Sequence, residues 1–221
     1  MLPREADNGH RMVHITCSHM AITAAKIFGH CPRTQVSFAD LAVLRPVQEL
    51  LSKNSNLLDP VWSGDGRQIA FGGTGHEDYQ ISVLDLSTHQ LSIVPGSKDL
   101  FSPRWSPNGS YLAALSADSQ KLMLFDVRTQ NWVVWVDEGH TVGFPTWSRD
   151  SKYIYYDWAF GKDQSFRRLK VGEHKSEQLL SLKGLRRYFN WMGSWSGITP
   201  GGTPLFVRDT STQEIYALEL Q

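Results

Sequence analysis

His76-Glu77-Asp78 sets an imidazole beside two carboxylates, side chains that elsewhere bind divalent metals or move protons. The triplet lies between two strand-like segments and reads as a solvated polar loop. His14, Cys17, His19, His30 and Cys31 are a second group of ligand types. Zinc sites pair their ligands two to four residues apart at both ends. His14 and Cys17 satisfy that spacing, but the adjacent His30 and Cys31 do not. Gly193-Ser194-Trp195-Ser196-Gly197 looks like a nucleophile elbow, yet tryptophan stands where the serine of G-x-S-x-G would be. There is no P-loop and no H-E-x-x-H. Lys183 to Arg187, followed by Tyr188, Phe189 and Trp191, is the one basic-aromatic stretch from which a nucleic-acid reading could start. The expectation is no catalytic residue, no metal and no cofactor. Asn108-Gly109-Ser110 is formally a glycosylation sequon, but an Asn-Gly turn accounts for it.

The elements that carry these residues are repeats. Pro60-Val61-Trp62-Ser63, Pro103-Arg104-Trp105-Ser106 and Pro145-Thr146-Trp147-Ser148 are three copies of P-x-W-S, spaced 43 and 42 residues apart. Asp65-Gly66, Asn108-Gly109 and Asp150-Ser151 follow as turn residues; the first two are strong hairpin signals of the type I′ kind. Seven positions after each tryptophan an apolar strand begins, at Ile69, Leu112 and Ile154. Third strands end in Asp85 and Asp126, with Thr88 and Thr129 three residues later. Fourth strands run over 91–94, 132–136 and 178–182. A degraded fourth copy aligns Ile198 with the tryptophans, in preference to Trp195. Leu205 then stands at the same offset of seven, and Glu214 to Leu220 forms its third strand.

Four short antiparallel strands per 40 to 45 residues describe a β-propeller blade. The expected fold is all-β: about four blades, each a four-stranded antiparallel sheet, near 59–99, 100–140, 141–184 and 185–221. Residues 1–40 form a poorly structured or atypical N-terminal segment. Residues 41–58 supply either a remnant of a preceding blade or a strand that closes on Ile215 to Leu220. Trp62, Trp105 and Trp147 read as packing residues.

P-x-W-S-x-D-G, then an apolar strand, then a strand ending D-x-x-T, resembles the WD-repeat-like propeller repeat of the TolB family. The resemblance covers residues 59 to about 220. It departs from the pattern at Ser151, in the glycine position, and at Lys170, in the aspartate position. It implies a propeller of about six blades in full-length relatives and a scaffolding or protein-binding role. In bacterial relatives such arrays form the C-terminal sensor or interaction part of longer chains.

The 22 basic and 22 acidic residues cancel, which argues against nucleic acid as partner. No apolar run approaches the roughly 18 residues of a membrane span. The expected function is a non-catalytic scaffold that binds a protein or peptide. The binding loops are those that vary between copies: 72–80, 117–120 and 158–164. Trp158, Phe160, His76 and Tyr79 are the candidate partner-binding residues. Open blade edges favour self-association. The alternative is a companion domain or remnant of a serine peptidase or lyase.

Overall fold

The computed structural model describes residues 12–16, 35–39, 48–51, 57–73, 79–188 and 194–211. Every regular element among them is a strand: β1 (Met12–Thr16), β2 (Gln35–Ala39), β3 (Gln48–Glu49), β4 (Leu57–Trp62), β5 (Gln68–Gly73), β6 (Ser82–Asp85), β7 (Leu91–Ile93), β8 (Leu100–Trp105), β9 (Tyr111–Ser116), β10 (Lys121–Asp126), β11 (Asn131–Asp137), β12 (Val142–Trp147), β13 (Tyr153–Trp158), β14 (Ser165–Lys170), β15 (Glu177–Ser181), β16 (Ser196–Ile198) and β17 (Pro204–Phe206). β4 to β7, β8 to β11 and β12 to β15 each form a four-stranded antiparallel meander in chain order. These are three blades, whose strands span 57–93, 100–137 and 142–181. Of the fourth, β16 and β17 are described; the expected third strand, Glu214 to Leu220, lies outside the described residues. The chain forms two compact units, Met1–Pro103 and Arg104–Gln221, divided within β8.

Each residue type of the repeat has a local task. The residues before the motif prolines, Asp59, Ser102 and Phe144, have φ of 53, 54 and 50°. The strand register shifts there, between Leu58 and Val61 and between Gly143 and Thr146. Proline has no N–H for a ladder, so it belongs at a bulge, and the bulge is where the motif puts it. The fourth copy has Ser196 in the proline position, and β16 pairs with β17 without a shift.

The serine after the tryptophan builds the turn. Ser63 Oγ donates to Asp65 Oδ1 (2.7 Å) and accepts from the Gln68 N–H (2.9 Å). Ser106 with Asn108 and Tyr111, and Ser148 with Asp150 and Tyr153, repeat the arrangement. The turn is a type I turn ending in a left-handed residue, not the expected type I′. Gly66 and Gly109 have φ of 70 and 73°, whereas Asp65, Asn108 and Asp150 are not left-handed. In the third copy Ser151 takes the left-handed position at φ 60°. Its buried Oγ accepts the Asn108 N–H of the preceding turn (2.9 Å).

The same hydrogen bonds fix the alignment of the fourth copy. Gly202 N–H donates to Thr199 O, as Gly66 N–H does to Ser63 O. Thr199 is therefore the motif serine and Ile198 the motif tryptophan. The offset to the next strand is six, not seven: Ile198 pairs with Pro204, whereas Trp62 pairs with Ile69. Trp195 stands at the bulge position, and its ring lies over Gly197, where a Cβ would come within 2.7 Å.

The second strand of each blade is a continuous apolar run because it is buried throughout: Ile69, Ala70 and Phe71; Leu112 to Leu115; Ile154 to Tyr156. In the first unit Leu57, Ile69, Phe71 and Leu84 form a core that Trp62 packs against. In the second, Trp147 stacks on Trp135 and Tyr111 (centroids 5.7 and 6.2 Å) and donates its Nε1–H to Arg104 O (2.9 Å).

Within residues 1–58, outside the repeat, β1, β2 and β3 make an antiparallel three-stranded sheet. Gln48 and Glu49 pair with Phe38 and Ser37. The other partner named in the closing-strand expectation, Ile215 to Leu220, lies outside the described residues.

Candidate functional site

In a four-strand meander the first and third turns lie at one end and the middle loop lies at the other, with the link to the next blade. The W-S-x-D-G turns, and the D-x-x-T turns of the first two blades, occupy the first end. The loops that differ occupy the second. In the second unit backbone bonds join these loops: Val142 N–H to Ser119 O (2.7 Å) and Ala159 N–H to Thr141 O (2.8 Å). Residues 117–120 are held by a serine-aspartate turn, in which Ser116 Oγ donates to Asp118 Oδ1 (2.5 Å) and accepts from Lys121 N–H (2.9 Å).

The centre of this end is a carboxylate. Glu138 Oε2 accepts from Tyr156 Oη (3.2 Å) and Trp158 Nε1 (3.1 Å), and Oε1 accepts from Ser176 Oγ (2.7 Å). Arg167 Nε donates to Ser176 Oγ (2.8 Å) and lies 3.8 Å from Glu138 Oε2. The Trp158 ring has His140 stacked at 3.7 Å and the Arg167 guanidinium at 3.9 Å. Two planar groups that close to one ring centre must take opposite faces, so Trp158 is sandwiched. Burial foremost pushes the Tyr156 phenol up, keeping it a neutral donor to the carboxylate.

Of the sequence candidates, Trp158 is thus covered on both faces, with its Nε1 edge bonded to Glu138. Phe160, two residues on, is 51 % exposed. Tyr79, in the other unit, is half-buried and stacks on Phe101 at 5.0 Å. His76 lies outside the described residues. The sequence reading missed Glu138, His140 and Arg167. They follow no repeat position, and only the cluster Glu138-Gly139-His140 in an inter-blade link hinted at them.

Of the basic stretch, Arg187 is spent inside the fold and Arg186 is paired at the surface. Arg186 Nε pairs with Asp209 (3.2 Å), and Arg187 Nη2 pairs with Asp157 (2.7 Å) and donates to Ser194 O. Burial holds the Asp157 carboxyl above the usual carboxylate range, and the Arg187 guanidinium works against it. Among the described residues no group of three His, Cys, Asp or Glu could hold a metal ion, and no helix is long and apolar enough to cross a membrane.

No protein-family model matches this chain, and no curated protein matches it. Solved structures do. TolB from Acinetobacter baumannii aligns with a TM-score of 0.67 at 16 % identity, over 94 % of this chain and 49 % of that one. The chain has the TolB-type propeller fold. It spans about half the length of that TolB structure. A TolB described as putative, from Agrobacterium tumefaciens, aligns at 0.58 and 15 % identity, over 80 % of this chain and 66 % of that one. The nidogen/laminin complex contains a chain that aligns at 0.56 and 7 % identity, over 78 % of this chain and 62 % of that one. At such identities the likeness is one of fold.

Proposed function

We propose that this TolB-type propeller chain is a non-catalytic scaffold that binds a protein partner at the variable-loop end of its blades. The observation that carries this reading is Phe160. An aromatic ring 51 % exposed stands on loops tied together by backbone hydrogen bonds and underpinned by the Glu138 network. A rigid platform with an exposed aromatic residue is the arrangement from which interface hot spots are made, because little ordering entropy is lost on binding. The comparisons lend support at the level of fold. One similar chain belongs to a nidogen/laminin complex, a protein–protein assembly. The remaining part of the reading, a C-terminal interaction region of a larger bacterial protein, rests on the resemblance of the repeat alone.

The test is site-specific photo-cross-linking in the producing cell. A photoreactive residue at position 160 should give a discrete protein adduct. One at Arg128, exposed in the β10–β11 turn at the opposite end, should not. Equal labelling at both positions, or no protein adduct at 160, would overturn the reading.

A further inference from the structure

The two inter-blade contacts of the second unit differ in kind. Between β8–β11 and β12–β15, the described polar groups that cross are satisfied: Trp147 Nε1 on Arg104 O, Asn108 N–H on Ser151 Oγ, and Glu138 with its three donors. The next contact joins β12–β15 to the small sheet of β16 and β17. Residues 186–188 are attached to that sheet through Tyr188 N–H to Val207 O, Asp209 N–H to Arg186 O, and the Arg187–Arg208 bridge. Ile198 and Phe206 pack there against Tyr155, Phe166 and Leu182, with Phe166 and Phe206 edge to face at 5.4 Å. In the same contact lies the Asp157–Arg187 ion pair, its side chains 0 and 5 % exposed. Arg187 Nε, buried, has no hydrogen-bond partner, and Asp157 Oδ1 and Ser196 Oγ, also buried, approach only each other.

A buried ion pair holds two surfaces together well only when its remaining polar atoms are also satisfied; otherwise desolvation cancels the attraction. Leu185, Tyr188, Leu205 and Val207, on or beside the small sheet, are all exposed. Separation would hydrate every unsatisfied atom at once. We infer that the β16–β17 sheet with residues 186–188 is a detachable cover. It opens before the rest of the 104–221 unit and uncovers the apolar face made by Tyr155, Phe166 and Leu182. The Asp157–Arg187 pair sets how readily it opens. Regions that open locally in this way are the ones a scaffold uses to admit a partner. This use rests on the protein-binding reading; the opening itself does not.

Hydrogen exchange of the full chain at pH 7, read by mass spectrometry, tests the inference. Backbone amides of 196–206 should exchange at least about tenfold faster than those of 153–158 and 165–170, because local opening exposes the first group alone. Replacing the pair by apolar side chains of similar size, D157L with R187M, should slow exchange of 196–206 at least about fivefold and leave 165–170 unchanged. Equal rates for the two regions in the unaltered chain would overturn the inference, whether or not the double variant folds. So would a folded double variant whose 196–206 exchange is unchanged or faster. Cross-linking at position 160 probes a different surface, so each result can fail without the other.

Discussion

Glu138 organises the variable-loop end by accepting from three side-chain donors. Its removal would leave Tyr156 Oη and Trp158 Nε1 without their acceptor and Arg167 without its carboxylate. A buried polar group stripped of its partner costs about 1 to 3 kcal/mol. Glu138→Ala should therefore destabilise the protein by about 2 to 4 kcal/mol, and Glu138→Gln, which keeps an acceptor oxygen, by less. Chemical denaturation measures both, and the Trp158 emission should shift only in the alanine variant if the indole loses its stack. Ser151 allows a sharper comparison. Its left-handed backbone is strained, and its hydroxyl accepts a bond from Asn108. Glycine removes the strain, worth about 1 kcal/mol, while losing a bond of similar worth; alanine loses the bond and keeps the strain. Ser151→Gly should change stability by less than about 0.5 kcal/mol, and Ser151→Ala should lower it by about 1 to 2 kcal/mol. Equal effects would mean that the hydroxyl, and not the backbone, decides this position.

At the scale of elements, the turns couple the fold to pH. Asp85 accepts from the Ser87 hydroxyl and from the Ser87 and Thr88 N–H groups, which hold its carboxyl at about 2. Asp65, Asp118 and Asp150 are lowered chiefly by their turn serines, and Asp126 by the Thr129 N–H. A carboxyl lowered by folding contributes stability above its unfolded value and loses it as pH falls through the folded one. For Asp85 that window runs from 3.8 down to about 2. Acid titration followed by circular dichroism should show stability falling across this range. Asp85→Asn should lower stability at neutral pH and flatten the acid limb. Asp157 carries the opposite sign: burial raises it, so its contribution is lost as pH rises through the folded value. The same turns show how far sequence reaches. Serine, aspartate and glycine bond to neighbours within five residues, so their spacing alone reveals the hairpin. The prolines reveal a bulge once their missing N–H is considered. The one-residue deletion at Thr199-Pro200-Gly201-Gly202 was not legible, because only pairing shows that Ile198 faces Pro204. Nor was the Glu138 network, whose partners lie 18 to 38 residues apart and recur in no other copy.

At the scale of the whole molecule, each of the three complete blades ends in an outer strand, β7, β11 or β15, that pairs on one side only among the described residues. β11 is the longest of the three, seven residues from Asn131 to Asp137. Val133 and Val134 on it are 54 and 47 % exposed, and it carries no charge before Asp137. β15, by contrast, begins with a glutamate. An uncharged apolar edge is a template for pairing with another chain, and natural sheets guard such edges with lysine. The chain has little long-range repulsion to oppose that pairing, since its formal net charge is zero and its isoelectric point near 7.1. Self-association should therefore be strongest near neutral pH and should begin at β11. Val133→Lys should raise the soluble monomer fraction in size-exclusion chromatography at pH 7. It should shift the unfolding free energy by less than about 0.5 kcal/mol, because an exposed side chain has little packing to lose. The equally cationic Gln130→Lys, in the exposed turn just before the strand, separates edge from charge. If the two variants raise the monomer fraction equally, net charge governs solubility; if Val133→Lys alone does so, the β11 edge is the surface through which copies meet.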